Sequence, residues 1–517
     1  MQRHTRTLFT AAIGATALTL LAGTPSYALD IPTPLAYDMG PFGTWKVNGG
    51  IEAALSGWNN APHTCNGNGN STGACVSDPH KPGGAQFGGG NQTTGDIDLT
   101  NAIFIINSKG NMFAGADEDS GIPLQIHAWV GEPPQTPVMG YTSENVAPNL
   151  YSSNGNHSLN NLGAASFLFK GWATYQPLDF FSIEGGRLPS VDGTEIGVGF
   201  LNNLPFLSDL NNMQTTVADG FQINLMTPGD NSYYFGFLPG YGSTLTIRVA
   251  DGYKTGHMNE LGFVGLWNLT PDGSDFIIGY GHTRLSTVGN ATEIGGGPGT
   301  GNTNAFAVGN FGMWNSNLIG FGTVYNLTHR LSMNAEVETQ WLPESAIPAA
   351  DRCTAATCGK NTSQDYYRWS AQATFAYDFG LQQIFGEPIR FQWAAQPSFT
   401  YQHGNSEDPN SNIFGNYLGL NAGGANTLNG TAGSTTGVAN GNLGTFGMGA
   451  KMYGFQTGPT FQFHNAFMRP TIAYTRLASV APGFGYGATG SDHDQVVLML
   501  DFGWLLGQQE DTDSGQH

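Results

Sequence analysis

Along much of the chain, apolar and polar residues alternate one by one. In 331–341 the odd positions are Leu, Met, Ala, Val, Thr and Trp, and the residues between them are Ser, Asn, Glu, Glu and Gln. Segments 368–379 and 389–402 have the same pattern, as do the first and last candidates, near 44–58 and 493–506. Successive side chains of a strand point to opposite faces, so each segment predicts a strand with one apolar and one polar face.

Sixteen candidate strands follow one another in this way. They lie near 44–58, 96–107, 122–130, 165–177, 180–187, 217–227, 241–253, 259–269, 274–284, 314–326, 329–341, 366–379, 388–404, 444–457, 459–477 and 493–506. The connections after odd-numbered strands are long, apart from 254–258, and most of the others are short, down to a single turn residue at Gly458. Long and short connections alternate in an up-and-down barrel that crosses one membrane. The pattern predicts an all-β, transmembrane, up-and-down antiparallel β-barrel of about 16 strands, with 14 or 18 also open. Its long loops would be extracellular and its short turns periplasmic.

The alternative for alternating strands is a soluble β-rich domain, such as a β-sandwich. The polar faces here carry mostly Ser, Thr, Asn and Gln, and the apolar faces run for ten or more residues and end in Trp, Tyr and Phe. Sandwich strands are usually shorter, whereas aromatic residues at both rims are typical of membrane barrels. The pattern favours the membrane barrel.

Composition supports a surface that does not face water. Among 517 residues, 75 are Gly, 12% are aromatic and only 11% are charged. Soluble domains carry about 25% charged residues, and disordered chains are poor in aromatics. The net charge of −20 and the lack of a basic patch exclude nucleic acid as a partner.

The amino terminus has the features of a secretory signal. Arg3, His4 and Arg6 precede an apolar stretch, and Ser26-Tyr27-Ala28 is a small-x-small cleavage site. No apolar run of about 18 residues follows it. The predicted organisation is a cleaved signal peptide 1–28, a short periplasmic segment 29–43, the barrel 44–506 and an acidic periplasmic tail 507–517. The predicted location is the outer membrane of a Gram-negative cell.

The four cysteines form two close pairs, Cys65 with Cys75 and Cys353 with Cys358. Both pairs lie in predicted outside loops of an exported chain, so they predict two local disulfides. Their spacing does not fit a zinc or haem site, and neither H-E-x-x-H nor G-x-S-x-G is present. We therefore expect no metal, no cofactor and no enzymatic activity.

One stretch carries a family resemblance. Residues 180–195 read FFSIEGGRLPSVDGTE, which resembles a region of the β-barrel porin-2 (OmpL-like) family of outer-membrane proteins. Segments 217–221, 250–253 and 259–262 are similar too, whereas Arg187 and Asp192 depart from the pattern. The resemblance covers roughly 165–285 and implies a porin, without implying which solute it carries.

The loop 188–216 contains an unusually apolar run, Val198 to Leu207. Since a fully exposed loop would not be so apolar, we expect it to fold into the barrel mouth and narrow it. Asp192 and Glu195 would then face basic wall residues. An extracellular cap or a subunit contact is the alternative.

These observations predict passive diffusion of small hydrophilic solutes or ions, because a sixteen-stranded barrel leaves an aqueous channel. Charged lumen residues would select ions by sign, with a slight preference for cations. The pore-lining candidates are Lys46, Glu52, Lys170, Glu184, Arg187, Asp192, Glu195, Arg248, Glu336, Glu338, Arg368 and Arg390. Expected partners are outer-membrane lipid, lipopolysaccharide, the solutes and further copies of the chain, as a trimer by analogy. The alternative function is an adhesin or receptor built on the large extracellular loops, with little or no conductance.

Overall fold

The computed structural model describes most of the strands and some of their connections. The described residues are 29–59, 94–109, 111–113, 121–132, 139, 168–189, 193–195, 198–208, 210, 217–234, 238–251, 260–271, 273–284, 317–342, 366–402, 451–478 and 492–508. The predicted signal peptide, the four cysteines and Asp192 lie outside these residues.

The chain forms seventeen strands within this part. They are β1 Leu35–Asp38, β2 Thr44–Trp58, β3 Thr94–Lys109, β4 Leu124–Glu132, β5 Leu168–Leu178, β6 Phe181–Pro189, β7 Val217–Tyr234, β8 Leu238–Asp251, β9 Glu260–Asn268, β10 Phe276–Arg284, β11 Asn317–Asn326, β12 Leu331–Leu342, β13 Tyr366–Ile384, β14 Glu387–Gln402, β15 Lys451–Phe463, β16 Ala466–Ala478 and β17 Asp494–Leu506. Two short 3-10 helices, Gly40–Phe42 and Gly199–Leu201, accompany them.

Sixteen of these strands close a barrel. From β2 to β17 each strand pairs antiparallel with the next one along the chain. The ring closes where β17 pairs with β2, with Leu500 opposite Leu55. The short strand β1 pairs with the first residues of β2. The predicted up-and-down antiparallel barrel of sixteen strands is therefore confirmed.

Two sequence-based boundaries need correction. The turn predicted at Gly458 lies instead at His464 and Asn465, where His464 adopts a φ of 53°. Gly458 is inside β15, at a point where an added Cβ would collide with the Pro470 carbonyl of β16, so the glycine permits close strand approach. β7 continues to Tyr234 and β8 begins at Leu238, so both strands run beyond the predicted limits at 227 and 241.

The two faces of the wall differ sharply in polarity. Ile51 is 51% exposed on the outside, whereas its neighbour Glu52 is 1% exposed on the inside. Other exposed outward side chains are Leu55, Ile183, Phe221, Phe263, Phe321, Val337, Trp393, Tyr453, Ile472 and Leu498, and buried inward ones are Ser56, Glu184, Gln222, Arg248, Glu338, Gln372, Gln392 and Gln456. Exposing such an apolar band to water would cost about 25 cal/mol of free energy for each Å². The outer face is therefore suited to lipid.

The described residues include no helix that is long and apolar enough to cross a membrane.

The barrel interior also contains an apolar cluster. Its wall members are Ile103, Ile105, Trp129, Trp172, Leu188, Phe467 and Leu505, and they pack with Val198, Phe200 and Leu201 from the β6–β7 connection and with Leu29 from the amino-terminal segment. Chain segments that are not part of the wall thus occupy the interior.

Candidate functional site: the barrel interior

The connection after β6 enters the barrel. We call residues 193–195 and 198–208 the inward segment. Its apolar side chains, including Phe200 and Phe206, are buried at 2% exposure or near it. The apolar run that would be costly on an exposed loop is covered by the inner wall. The prediction that this loop folds inward therefore agrees with the structure over the described residues.

The start of the inward segment is hydrogen-bonded to β12. The Thr194 amide donates to Glu336 Oε2 at 2.9 Å, and its hydroxyl donates to the same oxygen at 2.7 Å. The hydroxyl also lies 2.5 Å from Asn334 Oδ1. These contacts join residues about 140 positions apart and fix the segment against the wall far from β6.

Glu195 is the buried acid of the inward segment. Its carboxylate accepts hydrogen bonds from the Ser208 amide at 3.0 Å and the Ser208 hydroxyl at 2.5 Å, which closes the segment on itself. Gln396 Nε2 of β14 donates to the other oxygen at 2.6 Å. Burial, with a smaller contribution from the Glu336 carboxylate, raises the pKa of Glu195 to about 7. The sequence predicted that Glu195 would face basic wall residues. Among the described residues its charged neighbour is instead another acid, Glu336.

The middle of the inward segment is held by β15 and β16. The Arg469 guanidinium donates to the Gly199 carbonyl at 3.1 Å and to the Asn202 carbonyl at 2.8 Å. Gln456 Nε2 donates to the Phe206 carbonyl at 2.6 Å. Because β6 and β14 lie eight strands apart on a ring of sixteen, the segment crosses the lumen to the opposite wall.

Arg469 also binds two carboxylates. Its guanidinium pairs with Glu52 of β2 and with Asp501 of β17, the latter at 2.6 Å from Nε. All three side chains are buried. An ideal Cβ at Gly199 would lie 2.7 Å from both Glu52 oxygens, so the glycine lets the segment rest directly on this ion cluster.

Four of the predicted wall residues form two further groups. Glu336 and Glu338 of β12 both accept hydrogen bonds from the Tyr280 hydroxyl, at 2.7 Å for Glu338. Arg248 donates to the Pro189 carbonyl at 2.5 Å and to Gln222, and Gln222 donates to Glu184 at 2.7 Å.

The remaining wall candidates are more scattered. Lys170 lies over the Trp129 ring, with Nζ 4.2 Å from its centroid. Lys46 is half-buried on the inward face of β2. Arg390 binds Asp378 at 2.7 Å and also pairs with Asp30. The Arg368 side chain lies outside the described residues.

The prediction that Arg187 lines the pore is wrong. The alternation along β6 puts Glu184 and Leu188 inside and Ile183 outside, so Arg187 belongs to the outward face. Its guanidinium pairs there with Asp219, directly opposite on β7, at 3.0 Å.

The sequence reasoning missed Arg469, Asp501 and Tyr280 as interior site residues. The signal was present, since Arg469 alternates with outward Met468 and Pro470. Because the turn was predicted at Gly458, the residues of β16 formed part of a long candidate strand, 459–477. Arg469 in that candidate was not assigned to the interior.

Space next to the inward segment is small. The cavity between it and β11 to β14 has a volume of about 30 Å³, room for about one water molecule. Its lining includes Thr194, Glu195, Asn202, Asn334 and Gln396. Within the described part of the chain, no group of three or more His, Cys, Asp or Glu could hold a metal ion.

Comparison with known proteins finds similarity to solved structures, and those described below have TM-scores under 0.5 and at most 11% identity. No family model matches it, and no curated protein matches it. An anion-selective porin from Comamonas acidovorans superposes with a TM-score of 0.43 at 10% identity, covering 89% of this chain and 99% of that one. OprB from Pseudomonas putida gives a TM-score of 0.42 at 10% identity, covering 89% of this chain and 94% of that one. OmpF from Salmonella typhi, in complex with daunomycin, gives a TM-score of 0.39 at 11% identity, covering 91% of this chain and 100% of that one.

Proposed function

We propose that the chain is an outer-membrane diffusion channel for small hydrophilic solutes or ions. One observation carries the proposal: a closed ring of sixteen strands has an apolar outward face and an inward face of Glu, Gln, Arg, Asn, Ser and Thr side chains. A polar inner face against an apolar outer face is the arrangement by which a barrel carries water across lipid.

The outward face supports the location. A continuous apolar band around a closed β-barrel is compatible with lipid, and a closed barrel leaves no strand edge unpaired there. Lipid and lipopolysaccharide of a Gram-negative outer membrane are the surroundings we propose, with the termini and short turns in the periplasm. A homo-oligomer, membership of the porin-2 family and two disulfides remain predictions of the sequence.

The inward segment would set the size and the charge of the passage. It crosses from β6 to β12, β14, β15 and β16. Its anchors at Thr194, Glu195 and the carbonyls of Gly199 and Phe206 are hydrogen bonds with side chains of the wall. A segment tied at several points narrows a lumen in a defined position, which is what size exclusion requires.

The packing beside the inward segment favours a second candidate. The cavity beside the inward segment is too small for a solute larger than water. A barrel that holds such a packed interior could act as a support for extracellular loops that bind other cells or ligands, with little or no conductance. Conductance separates the two functions.

The test compares the wild-type protein with a deletion of 194–207 in planar bilayers and in liposome swelling with small sugars. Heat-modifiable migration on gels checks that both barrels are folded. We expect channel events from wild type and a severalfold larger conductance after the deletion, because the anchored segment is gone. If both folded proteins are silent, the diffusion channel is wrong and the receptor is favoured. Equal conductance of wild type and the deletion variant would show that the inward segment does not narrow the channel.

A further inference from the structure

The amino-terminal segment 29–33 lies inside the end of the barrel where the short turns are. Leu29 is 2% exposed, and Ile31 packs against the same interior cluster. Thr33 then pairs with the residues that follow β17, where its carbonyl accepts a hydrogen bond from the Gln508 amide at 2.7 Å. Residues just before β1 thus turn back into the lumen.

Polar contacts hold this segment to one side of the wall. Gln462 of β15 binds the Asp30 backbone twice: the Asp30 amide donates to Oε1 at 2.6 Å, and Nε2 donates to the Asp30 carbonyl at 2.8 Å. The Asp30 carboxylate pairs with Arg390 of β14, which Asp378 holds in place. A side-chain amide that pairs with both backbone groups of one residue recognises an extended segment as a neighbouring strand would.

The segment reaches the same apolar cluster as the inward segment. Leu29 belongs to one buried cluster with Phe200, Leu505 and Phe467. Phe200 comes from the opposite end of the barrel, and its ring would lie 3.0 Å from a Cβ added at Gly50 of β2. Two segments that enter from the two ends therefore share one apolar core.

We propose that residues 29–33 are a plug at the periplasmic end, which closes the channel against the inward segment and opens it on leaving the lumen. The inference rests on the proposed channel function. Its contacts favour a reversible device. They are two hydrogen bonds with the Gln462 side-chain amide, the backbone hydrogen bond from Gln508 to Thr33, and one ion pair whose Asp30 side is 70% exposed. The apolar contacts are those of the buried Leu29 side chain and of Ile31. Such contacts are few enough to be broken without unfolding the barrel.

The test uses Gln462→Ala in the full-length protein, with Gln392→Ala as the matched control. Gln392 is also a buried inward-facing glutamine near the same end, and its amide makes no hydrogen bond within the described residues. Loss of the two Asp30 contacts should raise the open probability about tenfold in single-channel records. Asp30→Asn is a second variant, which weakens the ion pair and leaves the wall unaltered.

A second readout does not depend on conduction. Ile31→Cys, in the folded wild type and in the Gln462→Ala and Gln392→Ala backgrounds, is treated with a bulky membrane-impermeant maleimide. The proposal expects slow labelling that becomes severalfold faster with Gln462→Ala and stays slow with Gln392→Ala. Rapid labelling in all three backgrounds would overturn the plug, as would equal open probabilities in wild type, Gln462→Ala and Asp30→Asn. Silence of every variant, together with silence of the deletion of 194–207, would instead contradict the channel function, and the labelling would still decide where residues 29–33 lie.

Discussion

Arg469 of β16 and Glu52 of β2 form a buried ion pair across β17, and the same guanidinium holds the inward segment at the Gly199 carbonyl. Asp501 of the intervening strand completes the cluster. One side chain thus links the closure of the ring, where β17 meets β2, to the segment that fills the lumen. The barrel wall and the inward segment are therefore expected to lose stability together.

Replacing Arg469 should be severely destabilising. Arg469→Met would leave the Glu52 and Asp501 carboxylates buried without their counter-ion, and breaking a buried pair in this way costs about 3–5 kcal/mol. The free energy of unfolding, measured by urea titration of the detergent-folded barrel, checks this value. Arg476→Met is the control, because Arg476 lies on the same strand and its ion pair with Asp494 of β17 is exposed at both side chains. A similar loss from both variants would contradict the buried role of Arg469.

Gly199 should not tolerate a side chain. Gly199→Ala would place a Cβ 2.7 Å from both Glu52 oxygens, which are fixed by Arg469, so either the segment or the ion cluster must move. We expect a loss of about 1–3 kcal/mol, the usual result of overpacking. At Gly185 of β6 the nearest atom to an added Cβ is 3.9 Å away, so Gly185→Ala should leave the unfolding midpoint unchanged. Equal midpoints for the two variants would show that the inward segment does not rest on Glu52.

Glu195 should make stability depend on pH. Burial raises the pKa of its carboxyl to about 7 in the folded protein, against about 4.3 for an unperturbed Glu. Between these values the folded chain keeps a proton that the unfolded chain has lost, so stability falls as pH rises from about 4.3 to about 7 and levels off above that. The total is on the order of 3 kcal/mol.

The measurement compares unfolding midpoints at pH 5 and pH 8. Wild type should be less stable at pH 8, and Glu195→Gln should lose most of this difference because the amide does not titrate. Glu387→Gln, an exposed position at the start of β14, should keep the wild-type difference. A difference unchanged in Glu195→Gln would show that another group carries the pH dependence.

Much of the barrel could be predicted because its signal is local. In β12 the alternation of Met333, Ala335 and Val337 with Asn334, Glu336 and Glu338 depends only on neighbouring residues, and it assigned these side chains to the correct faces. Of the short turns, those near Pro177 and at 270–273 were predicted where Pro or Gly marks them. The β15–β16 turn has His464 and Asn465 instead, so it was misplaced at a glycine whose role is close strand approach.

The contacts of the interior could not be predicted in the same way. The apolar run from Val198 indicated that the loop enters the barrel, but Thr194 meets Glu336 142 positions away, and Gln456 meets Phe206 250 positions away. Such pairs depend on how far the inward segment extends into the lumen, and no local sequence pattern specifies that depth. Likewise, nothing in the alternation of the strands indicated that Leu29 would join the interior cluster.

Ion selectivity should depend on Glu338 and not on Arg187. Glu338 is 1% exposed on the inner face beside Glu336, with Tyr280 donating to both, whereas Arg187 pairs with Asp219 on the outer face. Glu338→Gln keeps the shape of the side chain and removes one negative charge from the lumen, so the reversal potential in a KCl gradient should shift toward anions. Arg187→Gln should leave that potential unchanged, because its charge is separated from the solution in the pore by the wall. A larger shift from Arg187→Gln than from Glu338→Gln would mean that the outward assignment of Arg187 is wrong, and with it the alternation along β6 on which the interior set depends.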